Sequence, residues 1–207
     1  MLKTTTRRTT AILPVLAMMV ALNASSPCGA ATLTYTDQAL ASGSLGDSTF
    51  TSVLVTVKFV GDTTNVAASP GFYSSTAGEA TVDIAGLGTA TFLSTSIDVF
   101  DNQFFTPVAA AGIGDLALGV SILDTFNAAF STYDLTSVIG PLSGPSFIRP
   151  DITFATDRGG FNLITAGNST FTSSAAPEPG TLSLLCMGLT LVVVGVLRPR
   201  SSSRSPE

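Results

Sequence analysis

Val53-Leu54-Val55-Thr56-Val57-Lys58-Phe59 decides the fold. Val53, Val55, Val57 and Phe59 alternate with Leu54, Thr56 and Lys58. Side chains along a strand point to opposite faces in turn, so this pattern gives a strand with one face in a core and one in water. The theme recurs at Thr81-Val82-Asp83-Ile84, Asp151-Ile152-Thr153-Phe154 and Thr170-Phe171-Thr172. Turn-forming residues punctuate the runs at Gly61-Asp62, Pro70-Gly71, Gly86-Leu87-Gly88, Asp101-Asn102, Gly159-Gly160 and Gly167-Asn168. Short alternating runs at this spacing predict an all-β fold, an antiparallel β-sandwich or squat barrel, over residues 32–176.

One stretch departs from period two. Ile122, Leu123, Phe126, Ala129 and Phe130 recur at helical spacing in ILDTFNAAF, which predicts one short helix of two turns capping the domain. Phe, Ile and Thr also suit sheets, so the competing reading is another strand. Tyr133-Asp134-Leu135 then returns to alternation. The aromatic set is rich in Phe, including Phe50, Phe59, Phe92, Phe130, Phe154, Phe161 and Phe171. Phe has no polar group to satisfy, so core packing is the expectation; Phe104-Phe105 is the pair placed for partial exposure on a loop.

Charge is laid out unevenly over the 207 residues. Residues 32–176 carry Lys58, Arg149 and Arg158 against twelve acids, eleven Asp and Glu79, a net of −9. Three bases cannot neutralise a run of phosphates, so nucleic-acid partners are excluded. There is no His, which removes every Ser-His-Asp and Cys-His mechanism. The two cysteines, Cys28 and Cys186, lie in apolar terminal segments, so the central domain has neither a disulfide nor a thiolate metal site.

The two ends read as addresses. Lys3, Arg7 and Arg8 precede the mostly apolar run Ala11–Ala24, and Gly29-Ala30-Ala31 offers small residues for cleavage. A short apolar run with a basic lead is the pattern of a signal peptide, expected over 1–31, with a retained anchor as the alternative. At the other end Pro177-Glu178-Pro179-Gly180 leads into TLSLLCMGLTLVVVGVL, residues 181–197, which carry no charge. At about 1.5 Å per residue this run reaches the short end of bilayer thickness and predicts a transmembrane helix. Arg198, Arg200 and Arg204 follow it and act as the membrane stop, keeping that end in the cytoplasm and the body outside.

Pro-Glu-Pro, one apolar helix and an Arg-rich end together resemble the PEP-CTERM sorting tail of exported bacterial proteins, over Pro177 to Arg200. The resemblance implies that Pro177, Glu178 and Pro179 form the sorting motif read by an exosortase-type membrane processing enzyme. It further implies an inner-membrane-anchored precursor that is cut near the motif and passed to the cell surface or the exopolysaccharide matrix. Pro199 splits the arginines and a Ser-rich end follows, which departs from the usual tight cluster. The body, through ASGSLGDSTFT, GLGTATF and ILDTFNAAFSTYDLTSVIGP, is similar to an uncharacterised group of PEP-CTERM proteins; that likeness implies a fold and no activity.

Within the body, acidic residues are the chemical candidates. Asp98, Asp101 and Asn102 lie within five residues, with Asp115 beyond, and loops rich in Asp and Asn on β-sandwiches can supply the six to eight oxygens that Ca²⁺ takes. No EF-hand spacing is present. A glycosidase needs two carboxylates at set separation, one of raised pKa, and no pair stands out among the twelve acids. Thr-x-Thr occurs at 32–36, 49–51, 89–91 and 170–172, at starts too uneven to stack as a repeat. The sequence therefore leads to a non-enzymatic exported surface or matrix protein. The alternative is a polysaccharide-binding module of the matrix, calcium-assisted.

Overall fold

The computed structural model describes residues 31–104 and 108–176. These residues form an all-β, antiparallel fold of thirteen strands. In chain order the strands are β1 (Thr32–Leu45), β2 (Ser48–Asp62), β3 (Ala67–Ser69), β4 (Phe72–Ser75), β5 (Gly78–Ile84), β6 (Gly88–Thr91) and β7 (Ile97–Asn102). Then come β8 (Ala110–Asp115), β9 (Val120–Phe126), β10 (Leu142–Gly144), β11 (Ser146–Phe147), β12 (Phe154–Thr156) and β13 (Gly159–Ala175). Sheet A runs β10-β13-β1-β2-β5-β6, with β12 also paired to β13; sheet B runs β11-β9-β8-β7-β4-β3. The inner faces share one hydrophobic core, an arrangement consistent with a β-sandwich.

The deciding stretch behaves as its alternation requires. Val55, Val57 and Phe59 are fully buried, while Leu54 and Lys58 face water. Val82 and Ile84 on β5 and Phe161, Leu163 and Phe171 on β13 join them. One end of the core is an aromatic cluster. Phe171 packs edge-on against Phe130 at 5.5 Å and Tyr133 at 6.3 Å, with Tyr35 tilted at 6.5 Å. Edge-to-face contact sets a positive ring rim on a negative face, which adds to the burial of the rings themselves. The Tyr35 hydroxyl donates to the Leu135 carbonyl at 2.5 Å, and the Tyr133 hydroxyl donates to Ser173 Oγ at 3.0 Å, so neither phenol is buried without a partner.

The predicted two-turn helix at ILDTFNAAF is not there. Ile122, Leu123 and Phe126 belong to β9, and a single 3₁₀ turn over Ala128–Thr132 follows. Asn127 caps that turn by accepting from Ala129 N at 3.0 Å. β9 is buried on both faces, so its side chains lack the polar alternation by which a strand is recognised. Asp101-Asn102, which closes β7, is not a turn, and neither are Gly61-Asp62 and Gly167-Asn168. Gly61-Asp62 closes β2, and Gly167-Asn168 lies inside β13, where the register against β1 shifts between Ala39 and Ala41. A bulge takes up an extra residue without ending the strand. Tyr133 and Leu135 alternate in burial, yet lie in a loop rather than a strand.

Among the described residues no helix is long and apolar enough to cross a membrane. The expected signal peptide (1–31, except Ala31) and the expected transmembrane helix at 181–197 lie outside the described residues.

Candidate functional site

Pro177, Glu178 and Pro179, and likewise Arg198, Arg200 and Arg204, lie outside the described residues. The body that precedes them ends in a defined way. Leu33 pairs with Ala175, and Ala176 N donates to the Thr32 carbonyl at 2.9 Å. Ala31 is held beside them through Thr63, whose backbone N donates to the Ala31 carbonyl at 3.1 Å. The first and last residues of the domain are therefore side by side at one end of sheet A, and Pro177 is the next residue.

The three expected calcium ligands do not converge. All lie on β7, where Asp98 and Asn102 point to the outer face of sheet B and Asp101 to the inner face beside Ile97 and Val99. Asp98 and Asn102 are four residues apart on an extended strand, about 13 Å along the chain. One ion with ligands at 2.3–2.6 Å cannot span that. Among the described residues no three His, Cys, Asp or Glu side chains are grouped to hold a metal.

The structure instead gathers carboxylates in places that spacing could not show. Asp37 on β1 is fully buried between the sheets; Thr125 Oγ1 donates to its Oδ1 at 3.0 Å, and Thr125 lies 2.6 Å from Ser169 Oγ. Its Oδ2 has no partner among the described residues, and burial drives its pKa well above the usual carboxylate value. Asp101 is also fully buried, and neither of its oxygens has a hydrogen-bond partner among the described residues. Burial pushes its pKa up to about 8; Gln103 lies near enough to oppose part of that shift, although its amide N–H donates to the Tyr133 carbonyl. Asp124 on β9 accepts from Phe147 N at 2.8 Å and from Ser121 Oγ at 2.9 Å, and still burial raises it to about 7.

On the outer face of sheet B lies a cavity of about 160 Å³. Phe72 from β4 and Asp98, Phe100 and Asn102 from β7 form one side. Asp115 at the end of β8, the turn from Leu116 to Gly119, and Val120 and Ser121 of β9 form the other. The Phe72 and Phe100 rings are near-parallel, 13° between planes with centroids 6.4 Å apart. Gly114 allows this: its missing Cβ would sit 2.6 Å from the Val120 carbonyl, 3.3 Å from the Phe100 ring and 3.4 Å from Asp98 Oδ1.

The two acids of the cavity differ in how they are satisfied. Asp115 accepts from Ser94 and Ser96 hydroxyls at 3.1 and 2.6 Å and from the backbone N–H groups of Ala117 and Leu118 at 3.0 and 3.2 Å. Asp98, only 2% exposed, has no such donors; among the described residues only its own backbone N–H is close. Burial, with the nearby Asp115 charge adding to it, lifts Asp98 to about 7.

The opposite face of the molecule is chemically different. Strand register places three of the four scattered Thr-x-Thr stretches, 32–36, 89–91 and 170–172, together on the outer face of sheet A. One row across the strands reads Thr172, Thr36, Lys58, Thr81, Thr91; the next reads Thr170, Gln38, Thr56, Asp83, Thr89. Strands lie about 4.8 Å apart, so this is a close hydroxyl lattice with three polar interruptions. Phe104 is 69% exposed, as its loop position suggested; Phe105 lies outside the described residues.

The chain matches no protein-family model, no curated protein and no solved structure.

Proposed function

We propose that the chain is an exported, non-enzymatic protein of the cell surface or extracellular matrix, delivered by a PEP-CTERM-type tail. The observation that carries this reading is the pairing of the first and last described strands at one end of sheet A, where Leu33 lies opposite Ala175 and Ala176 N donates to the Thr32 carbonyl, directly before Pro177. Both addresses then leave the body from the same end. Cutting them away removes no strand of either sheet. A body built this way stands on one stem above the bilayer, its membrane stop at Arg198, Arg200 and Arg204, and is released whole by an exosortase-type enzyme acting near Glu178. Its net negative, hydroxyl-covered surface suits a hydrated polymer layer and opposes aggregation.

The test is intact-mass analysis of the extracellular form beside a Glu178→Ala variant. The reading expects a mature species lacking both ends from the parent chain and uncut precursor in the membrane from the variant. Normal release of the variant counts against it. Exchanging Arg198, Arg200 and Arg204 for Glu should loosen the membrane stop; unchanged topology counts against the orientation.

A second reading, a polysaccharide-binding module of the exopolysaccharide matrix, is favoured by the hydroxyl rows on sheet A. Saturable binding of the matrix polymer that is lost on exchanging Thr36, Thr81 and Thr172 for Val supports it. Loss on adding a chelator supports its calcium-assisted form.

A further inference from the structure

The cavity on sheet B has two features that the reading above does not use. First, it pairs two aromatic rings with a buried carboxylate. Phe72 and Phe100 supply ring surface, and Asp98 supplies an acid held out of water with no donor from another described residue. Second, the described residues do not provide the counter-charge. The basic side chains among the described residues are Lys58, Arg149 and Arg158. Lys58 is on the outer face of sheet A, Arg149 pairs with Asp151 at 3.1 Å, and Arg158 donates to the Leu87 carbonyl at 2.8 Å. None of them lines the cavity.

A buried acid beside aromatic rings favours a cation that brings its own N–H donors. Such a group satisfies the carboxylate, and the ring quadrupoles attract it. A metal ion fits poorly, because Asp115 is already saturated by four donors and leaves one acid to coordinate. The size suits a small organic frame, since a cavity of roughly 150 Å³ accommodates a six-membered ring.

We propose that this cavity binds an organic ammonium group, with Asp98 as its counter-charge and the Phe72 and Phe100 rings as its apolar wall. Asn102 and Ser121 at the margin offer further polar contacts to the frame that carries the amine. The site belongs to the body, so it stands or falls separately from the tail and its processing.

The linkage has a definite sign. The titratable groups near Asp98 are Asp115 at the end of β8, which pairs with Ile97 and so belongs to the opposite face of the sheet, and Asp124 on β9, on the same face as Asp98; no base faces it among the described residues. With Asp98 near 7, protonation competes with the cation. Affinity therefore falls about tenfold from pH 8 to pH 6.

Calorimetric titration of the full chain in detergent micelles tests this with n-butylammonium, methyl 2-amino-2-deoxyglucoside and methyl glucoside. The expected result is saturable binding of both amines, weaker at pH 6, and none of the neutral glucoside. Tighter binding of the amino sugar identifies a sugar frame and tighter binding of butylammonium an alkyl one; either ranking supports the ammonium site. Asp98→Asn, near-isosteric and uncharged, should abolish the binding while melting at or above the parent temperature. Phe72→Leu keeps apolar volume and should weaken it roughly two- to fivefold. Absence of amine binding at millimolar concentration, equal binding of methyl glucoside, pH-independent affinity, or amine binding that survives Asp98→Asn overturns the proposal. If Asp98→Asn does not fold, the pH profile of the parent chain and the Phe72→Leu titration decide it.

Discussion

In sheet A, β1, β2, β5 and the ends of β13 alternate between buried and wet side chains. In sheet B, β7, β8 and β9 are buried on nearly every residue. The first sheet turns a hydroxyl surface to solvent, while the second folds its outer face in on itself. The Phe100 ring and Asp98 close over Gly114, and Ser121 and Asp124 are enclosed on the same face. The difference shows that a polar residue on a strand does not by itself mark a wet face. Five of the twelve acids, Asp37, Asp98, Asp101, Asp115 and Asp124, are almost entirely out of water.

This contrast can be broken or sharpened by experiment. The largest effect should come from the core that both sheets share. Phe171→Ala removes the ring that Phe130, Tyr133 and Tyr35 pack against, and should cost about 3–5 kcal/mol in a denaturant titration. A loss below 1 kcal/mol would mean that the aromatic end is not a structural centre.

Next comes Gly112→Ala on β8. The added methyl would meet the Leu123 carbonyl at 2.5 Å and Asp124 Cα at 2.6 Å. Backbone cannot swing aside as a flexible side chain can, so a loss of about 1–3 kcal/mol is expected, read from the same titration. If the variant is as stable as the parent, β8 and β9 do not approach each other as closely at Gly112 as their register places them.

pH offers a third route. Asp98 and Asp124 near 7 and Asp101 near 8 all lie above their unfolded value of 3.8. The folded chain thus holds more protons than the unfolded chain between about pH 4 and 8. Their contribution is fully present below about pH 4 and is lost as pH rises through 7 to 8. Melting temperature should rise on acidification from pH 8 to 5, the reverse of ordinary acid denaturation. Asp101→Asn should flatten that slope, and a melting point that falls steadily below pH 8 would contradict the burial of these groups.

The smallest effect belongs to the wet face. Thr36→Val on sheet A changes a half-exposed hydroxyl beside Thr172 and Lys58 and should stay within about 0.5 kcal/mol. A larger loss would show that the hydroxyl rows stabilise the fold as well as coat it.

Legibility in the sequence follows the same division. VLVTVKF, TVDI and TFT reveal their strands because water on one side forces every second residue to be polar. ILDTFNAAF gives a false helical spacing because β9 has protein on both sides, so burial no longer imposes a period. Asp98-x-x-Asp101-Asn102 looked like a ligand cluster because closeness in sequence suggests closeness in space. On an extended strand the odd spacing sends Asp101 to the other face. Phe72 and Ser121 carried no local mark of belonging with Asp98, since they reach it only through β4–β7 pairing and the neighbouring β8 and β9.

From the sequence by itself come the all-β, antiparallel class, the core residues of the alternating strands, the acidic balance and the expectation of two terminal addresses. These depend on composition and on contacts within a few residues. Tertiary structure alone decided that three unevenly spaced Thr-x-Thr stretches meet on one face, that five aspartates are buried, and that Asp98 opens on a cavity walled by Phe72 and Phe100. Those outcomes depend on which strands pair and in what register. Pairing is a property of residues distant in the chain, and no local pattern records it.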